Sequence, residues 1–209
     1  MSLRRLYRWY ETAAPDELYA GRTWYPDARQ EVCRIVDKYR WIAGYISHET
    51  VAGVIAVLSP NCTWETNLHD AENVIASYPM PVTVSTYNNN REKAYAILSG
   101  ADTNDSSGRG RVPSGIVRGP KVTAFYENLR GDDSALTLDS HAFNAWKGYR
   151  ATGSKLPNIP AAERRQAVAD YIQAAKRKGE TNAAFQAVIW LVWKRRVDSG
   201  MVSGYGETE

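Results

Sequence analysis

The spacing of apolar side chains along this chain is helical almost everywhere it can be read. Over residues 26–39, Val32, Ile35, Val36 and Tyr39 share one face, and Asp27 and Glu31 sit near the start, the end of a helix that favours negative charge. Ser47 is placed to cap a helix carrying Val51, Val54, Ile55 and Leu58, stopped near Ser59 because Pro60 disfavours a helical residue before it. A further helix from Trp64 presents Leu68, Ala71, Val74 and Ile75. Pro79 and Pro81 break the chain, and residues 89–98 form a short helix ended by Gly100. Residues 121–129 predict another helix, closed by Gly131. Asp139 then sits where an N-cap belongs, ahead of Phe143 and Trp146. Pro160 and Gly179 bracket a helix with Val168, Tyr171, Ile172 and Ala175 on one side. Thr181 caps the last one, whose buried stripe is Phe185, Val188, Ile189 and Val192 and in which Trp190 reads as core. Residues 101–111, dense in Asp, Ser, Asn and Gly, read as a surface loop. Only residues 81–86 offer a weak strand pattern, and no internal repeat is visible. The pattern predicts an all-α protein.

Composition narrows the class. At 209 residues, 44% hydrophobic and 23% charged, the chain suits a folded domain or two small lobes and excludes wholesale disorder. Two cysteines, Cys33 and Cys62, cannot supply a four-cysteine zinc site or iron–sulfur cluster. Both fall in apolar helical patterns that predict buried, reduced thiols and hence a cytoplasmic protein. The longest apolar run, 183–193, is interrupted by Gln186 and falls short of the ~18 residues a membrane span needs. Arg4, Arg5 and Arg8 are followed by no apolar segment of the kind a secretory signal requires. The net charge of +3 permits a nucleic-acid partner without arguing for one. Its distribution says more: residues 109–126 carry Arg109, Arg111, Arg118 and Lys121 with no Asp or Glu, a bias suited to phosphates and equally to a solvated basic loop.

Within that stretch, Gly119-Pro120-Lys121-Val122 is a glycine turn opening a helix, and Leu138-Asp139-Ser140-His141 follows with Asp139 18 residues beyond Lys121. A lysine in the first turn of a helix meets the positive end of the dipole, which lowers its pKa and raises the neutral amine fraction available for attack on carbon. The unpaired amides of that turn, with Gly119, suit a phosphate. An N-capping Asp139 is held ionised by backbone N–H groups and can stabilise a positive sugar or accept a proton. Each residue also has a plainer reading: Asp139 as an ordinary cap, Lys121 as a solvated helix residue.

The two segments resemble the signature of the helix-hairpin-helix DNA glycosylases, the superfamily of endonuclease III and the 8-oxoguanine glycosylases. The likeness extends more weakly to Ile55, Ser59, Pro60, Asn61, Thr63 and Asn67, which are similar to the helix end that the family sets against DNA, and to Ala187–Trp190; it is recognisable from about residue 50 to 146. It implies a two-lobed all-α glycosylase fold without an iron–sulfur cluster, one lobe of residues 1–46 and 139–209, the other of residues 47–138 including a hairpin at 112–130. It further implies that Lys121 and Asp139 face the cleft between the lobes. The implied activity is excision of a damaged or modified base flipped out of double-stranded DNA, with Lys121 attacking C1′, a Schiff base and β-elimination at the 3′ phosphate. Arg118, Gly119, Val122, Asn61 and Arg111 would bind DNA; Trp64, Tyr126 and His141 are candidates for the base pocket or wedge, His141 otherwise hydrogen-bonding a neighbouring helix. Asn61 either fills the gap left by the flipped nucleotide or caps a helix. No cofactor is expected beyond a monovalent cation at the hairpin, and a monomer acting on DNA in a prokaryotic or phage-infected cytoplasm is the simplest assembly. The family carries a glycine two residues before Gly119 where this chain has Val117, a β-branched residue strained by any positive φ. Three alternatives stay open: a glycosylase using Asp139-activated water, a non-catalytic helix-hairpin-helix DNA-binding protein, and a helical adaptor touching no nucleic acid.

Overall fold

The computed structural model describes residues 2–40, 46–100, 115–150 and 159–201. Among them the chain is helical: α1 (Ser2–Glu11), α2 (Pro15–Tyr39), α3 (His48–Leu58), α4 (Trp64–Ser77), α5 (Asn88–Leu98), α6 (Pro120–Arg130), α7 (Ser140–Lys147), α8 (Ala161–Lys178) and α9 (Asn182–Asp198). No strand element occurs among the described residues, and 81–86 is an irregular segment held by side chains rather than by a ladder. The Ser85 amide donates to Asp70 Oδ2 at 2.6 Å, and the Val82 amide to the Tyr95 hydroxyl at 3.1 Å. Side chains thus take two of the segment's backbone donors.

The caps follow the sequence closely. Ser47 accepts from the Thr50 amide, Thr63 from Thr66, Asp139 from Ala142 and Thr181 from Ala184, each satisfying a first-turn donor. Gly131 (φ 107°) and Gly179 (φ 70°) close α6 and α8. The N-terminal part departs from expectation. Pro26 does not open a helix but lies inside α2, which starts at Pro15. Proline at a first helical turn and proline inside a helix leave the same flanking periodicity, so the pattern from 26 onward could not tell them apart.

The chain packs as two compact units, one of Met1–Pro26 and Asp132–Glu209, the other of Asp27–Gly131. These boundaries fall at 26 and 131 rather than at 46 and 138, and the first of them lies within α2. In the first unit α1, α7, α8 and α9 bury Leu6, Trp9, Phe143, Tyr171, Phe185, Ile189 and Trp193 in one core. Ile172 is exposed, and the buried face of α8 is Ala167, Tyr171, Ala174 and Ala175 instead. Small residues there let α8 lie close to its neighbours. Gly21 is required for the same reason: a Cβ would stand 2.4 Å from Val188 Cγ2.

In the second unit α3 is the central element. Every residue from Val51 to Leu58 is buried, and α4, α5 and α6 pack against it. A helix apolar on all sides must be surrounded. Cys33 is exposed on α2, contrary to the buried thiol expected from its apolar neighbours, while Cys62 lies in the α3–α4 turn and is half-buried; both are free. No described helix is long and apolar enough to cross a membrane.

Candidate functional site

The second unit brings residues 119–122 against the end of α3. α3 ends at Ser59, whose amide bonds back to the Ala56 carbonyl. Two residues on, Asn61 takes φ 60°, the one non-glycine residue with positive φ among those described. Asparagine tolerates this left-handed conformation better than most side chains. It leaves Asn61 exposed at the tip of the turn, and so not a capping residue of α3, a role that falls to Ser59.

α6 packs on α3 and delivers the lysine to that turn. Gly119 takes φ 98° and ψ 137°, a conformation that L side chains rarely adopt; a Cβ there would meet nothing within 4 Å, so the requirement is one of backbone torsion alone. Pro120 follows at the first helical position. Lys121 Nζ donates to Ser59 Oγ at 2.9 Å and to the Ser59 carbonyl at 3.4 Å, and stands 5.9 Å from the Phe125 ring centroid. Trp64, half-buried at the start of α4, meets the same Phe125 ring edge-on at 6.3 Å. The half-buried Cys62 thiol donates to the Leu58 carbonyl at 3.2 Å; burial pushes its pKa up, and the charge of Lys121 pulls it the other way.

Around this centre Arg118 and Gly119 are exposed and Val122 is half-buried. Val117 is buried, its carbonyl accepting from Thr123 Oγ1 at 3.3 Å, and it has no positive φ; Gly119 alone makes the turn, so the valine carries no strain. Residues 115–118 are turn and bend rather than helix, so α6 is the one helix among the described residues of the hairpin expected at 112–130. Arg111, Arg109 and residues 112–114 lie outside the described residues. Tyr126 is buried, with the Arg130 guanidinium carbon 5.3 Å from its ring centroid.

Asp139 and His141 belong to the first unit. Asp139 Oδ1 accepts from the Ala142 amide at 2.7 Å and caps α7. Burial pushes the hydroxyl pKa of both Tyr171 and Tyr25 well up, and the negative charge of Asp139 adds to the rise in each. Two buried tyrosines beside a carboxylate stay protonated, and both donate: Tyr171 to the Ala142 carbonyl at 2.8 Å, Tyr25 to Gln186 Oε1 at 3.1 Å. His141 is exposed and makes no hydrogen bond to a neighbouring helix among the described residues; its ring meets Trp190 edge-on at 6.0 Å. Trp190 is correspondingly not core: it is half-buried, with Lys194 Nζ 5.1 Å from its ring centroid.

Residues 1–197 match a single sequence family. The chain belongs to DUF7178, a family of unknown function. No curated protein and no solved structure matches the chain. Among the described residues of this DUF7178 chain, no group of three or more His, Cys, Asp or Glu side chains is arranged to hold a metal ion.

One residue in this neighbourhood escaped the sequence. Tyr87 precedes α5 and is 59% exposed, and its hydroxyl accepts a hydrogen bond from Asn61 Nδ2. The only local signal was an anomaly visible after the fact: a tyrosine stands at the N-cap of α5 with no side-chain capping bond.

Proposed function

We propose that the protein is a helix-hairpin-helix DNA glycosylase with an associated lyase activity, acting on a damaged or modified base in double-stranded DNA. The observation that supports this reading is the meeting of Lys121, in the first turn of α6 behind a glycine–proline turn, with Ser59 at the end of α3, two residues from Asn61. Two segments distant in sequence, each independently suited to a DNA backbone, thereby form one surface of the second unit. Gly119 offers no side chain to the first-turn amides, which suits them to a phosphate oxygen. Arg118 and Arg111 add charge for the flanking phosphates.

In the reaction we envisage, Lys121 loses a proton to water, and its amine attacks C1′ of the extruded nucleotide. The C1′–N bond breaks and its electron pair leaves with the base. Ring opening gives a Schiff base, and loss of a C2′ proton expels the 3′ phosphate. Stabilising the positive sugar is the role we give the Asp139 side chain. Trp64 is the aromatic side chain of the second unit that we assign to the base pocket. A monovalent cation at the hairpin belongs to this reading, and no step uses it. We place the protein in the cytoplasm, as a monomer.

One observation favours a second reading. The two hydrogen bonds to Ser59 and the nearby Phe125 ring suit an ammonium group. A lysine held charged would grip phosphate, leaving base release to Asp139-activated water or leaving no catalysis at all. Borohydride treatment of the protein with abasic-site DNA separates these outcomes: a covalent adduct that Lys121→Ala abolishes and Asp139→Asn diminishes supports the lyase. Base release without adduct supports the water mechanism, and salt-sensitive binding alone supports a binding module.

A further inference from the structure

Two helix ends meet at Lys121 and act on its charge in opposite senses. The lysine belongs to the first turn of α6, where the dipole is positive and favours the neutral amine. Its side chain ends at the last turn of α3, where the dipole is negative and favours the ammonium ion. At that end the Ser59 hydroxyl has a fixed direction. Its own hydrogen goes to the Ala56 carbonyl at 2.9 Å, so toward Lys121 the oxygen can only accept, and it does so at 2.9 Å. The Ser59 carbonyl, 3.4 Å from Nζ, is a second acceptor, and neither atom offers a hydrogen to the lone pair of a neutral amine. Phe125, its ring centroid 5.9 Å from Nζ, likewise favours a cation.

Ionisable groups stand on every element around this contact. The Cys62 thiol, in the turn after α3, donates to the Leu58 carbonyl, and burial favours its neutral form. Asp70 on α4 accepts from the Ser85 amide and hydroxyl, and Glu65 is exposed in the first turn of the same helix. Glu127 on α6 pairs with Arg130, while His48 and Glu49 open α3 at its far end. Arg118, exposed before the turn, adds positive charge. At Nζ itself Ser59 supplies two acceptors, and its hydroxyl is the closer.

We infer that Ser59 is a positioning residue for Lys121: it holds the side chain as an ammonium ion in the DNA-free protein and so sets the pH at which the amine becomes available. The consequence for catalysis rests on the reading of Lys121 as the nucleophile. Ser59→Ala removes the closer acceptor, Ser59→Cys keeps the volume with a weak acceptor, and Ser59→Thr retains the hydroxyl. Competitive acetylation of the DNA-free protein across about pH 6 to 11, with label on the Lys121 peptide counted by mass spectrometry, follows this one amine. In Ser59→Ala and Ser59→Cys the titration midpoint falls by about one pH unit, a tenfold gain in amine well below the midpoint; in Ser59→Thr it stays within about 0.3. The acid limb of borohydride adduct formation with abasic DNA moves by the same amount. A midpoint unmoved or raised in the Ala and Cys variants, or one that Thr lowers as far as Ala does, overturns the inference and leaves the glycosylase reading intact if the adduct still forms. The expected shifts in a protein that forms no adduct at any pH support Ser59 as the holder of the ammonium ion and remove the glycosylase reading.

Discussion

Asp139 caps α7, and a single substitution can separate that role from the catalytic one proposed for it. Its carboxylate caps α7 through the Ala142 amide, and asparagine caps a helix as well as aspartate does. Asp139→Asn therefore leaves the unfolding free energy within about 0.5 kcal/mol of the parent, whereas Asp139→Ala costs about 1 kcal/mol. Urea denaturation measures both. Under the proposed chemistry Asn lowers adduct formation as strongly as Ala does, because the lost property is charge; equal activity of the Asn variant would reduce Asp139 to a cap. Gly119 gives the complementary test. Its φ of 98° with ψ 137° costs a β-carbon about 1–3 kcal/mol, although no neighbour obstructs one. Gly119→Ala is expected to lose that much stability or to remodel the turn, and in either case to weaken DNA binding measured at fixed salt.

Among the helices, the contact between α2 and α4 has a pH signature. Burial opposes ionisation of Glu72, but hydrogen bonds from Arg34, Lys38 and Tyr39 outweigh it and hold the carboxyl at about 2. A depressed carboxyl stabilises the folded state fully above its unfolded value near 4.5 and loses that contribution as pH falls toward 2. The melting temperature of the parent should accordingly fall over that window more steeply than that of Glu72→Gln, which has little left to lose there; parallel curves would show that the pairing contributes nothing. In the first unit, Trp193 is fully buried and meets Trp9 edge-on at 6.1 Å, so Trp193→Ala should cost about 3–5 kcal/mol in calorimetry. The helices were legible where a cap and an apolar stripe agreed, as at Ser47, Asp139 and Thr181. They were misread where one residue type serves two purposes. Pro26 fits a first turn or an interior position, and Ile172 fits a stripe that the small residues of α8 displace. Trp190 was assigned to the core by its neighbours on α9, although partial burial with its ring against His141 depends on packing that no single-helix period records.

Across the whole molecule, the division into two units, each with its own core, follows from apolar faces that the sequence displays, yet its boundaries do not. The second unit begins inside a continuous helix, and nothing in composition changes between Pro26 and Asp27. The candidate residues were legible to different depths. Gly119, Lys121 and Asp139 stand out because turn, helix start and cap are local events. The Lys121–Ser59 contact spans 62 residues and the Asn61–Tyr87 contact 26, and both are products of tertiary packing around α3. The proposed chemistry makes Lys121 a nucleophile rather than a phosphate ligand, and that claim admits a direct measurement. Proteolysis and mass spectrometry of the borohydride-reduced adduct with abasic DNA should find a deoxyribose remnant on the peptide containing Lys121 and on no other, absent when Lys121 is alanine. An adduct located on a different lysine, or one that survives Lys121→Ala undiminished, would contradict the account.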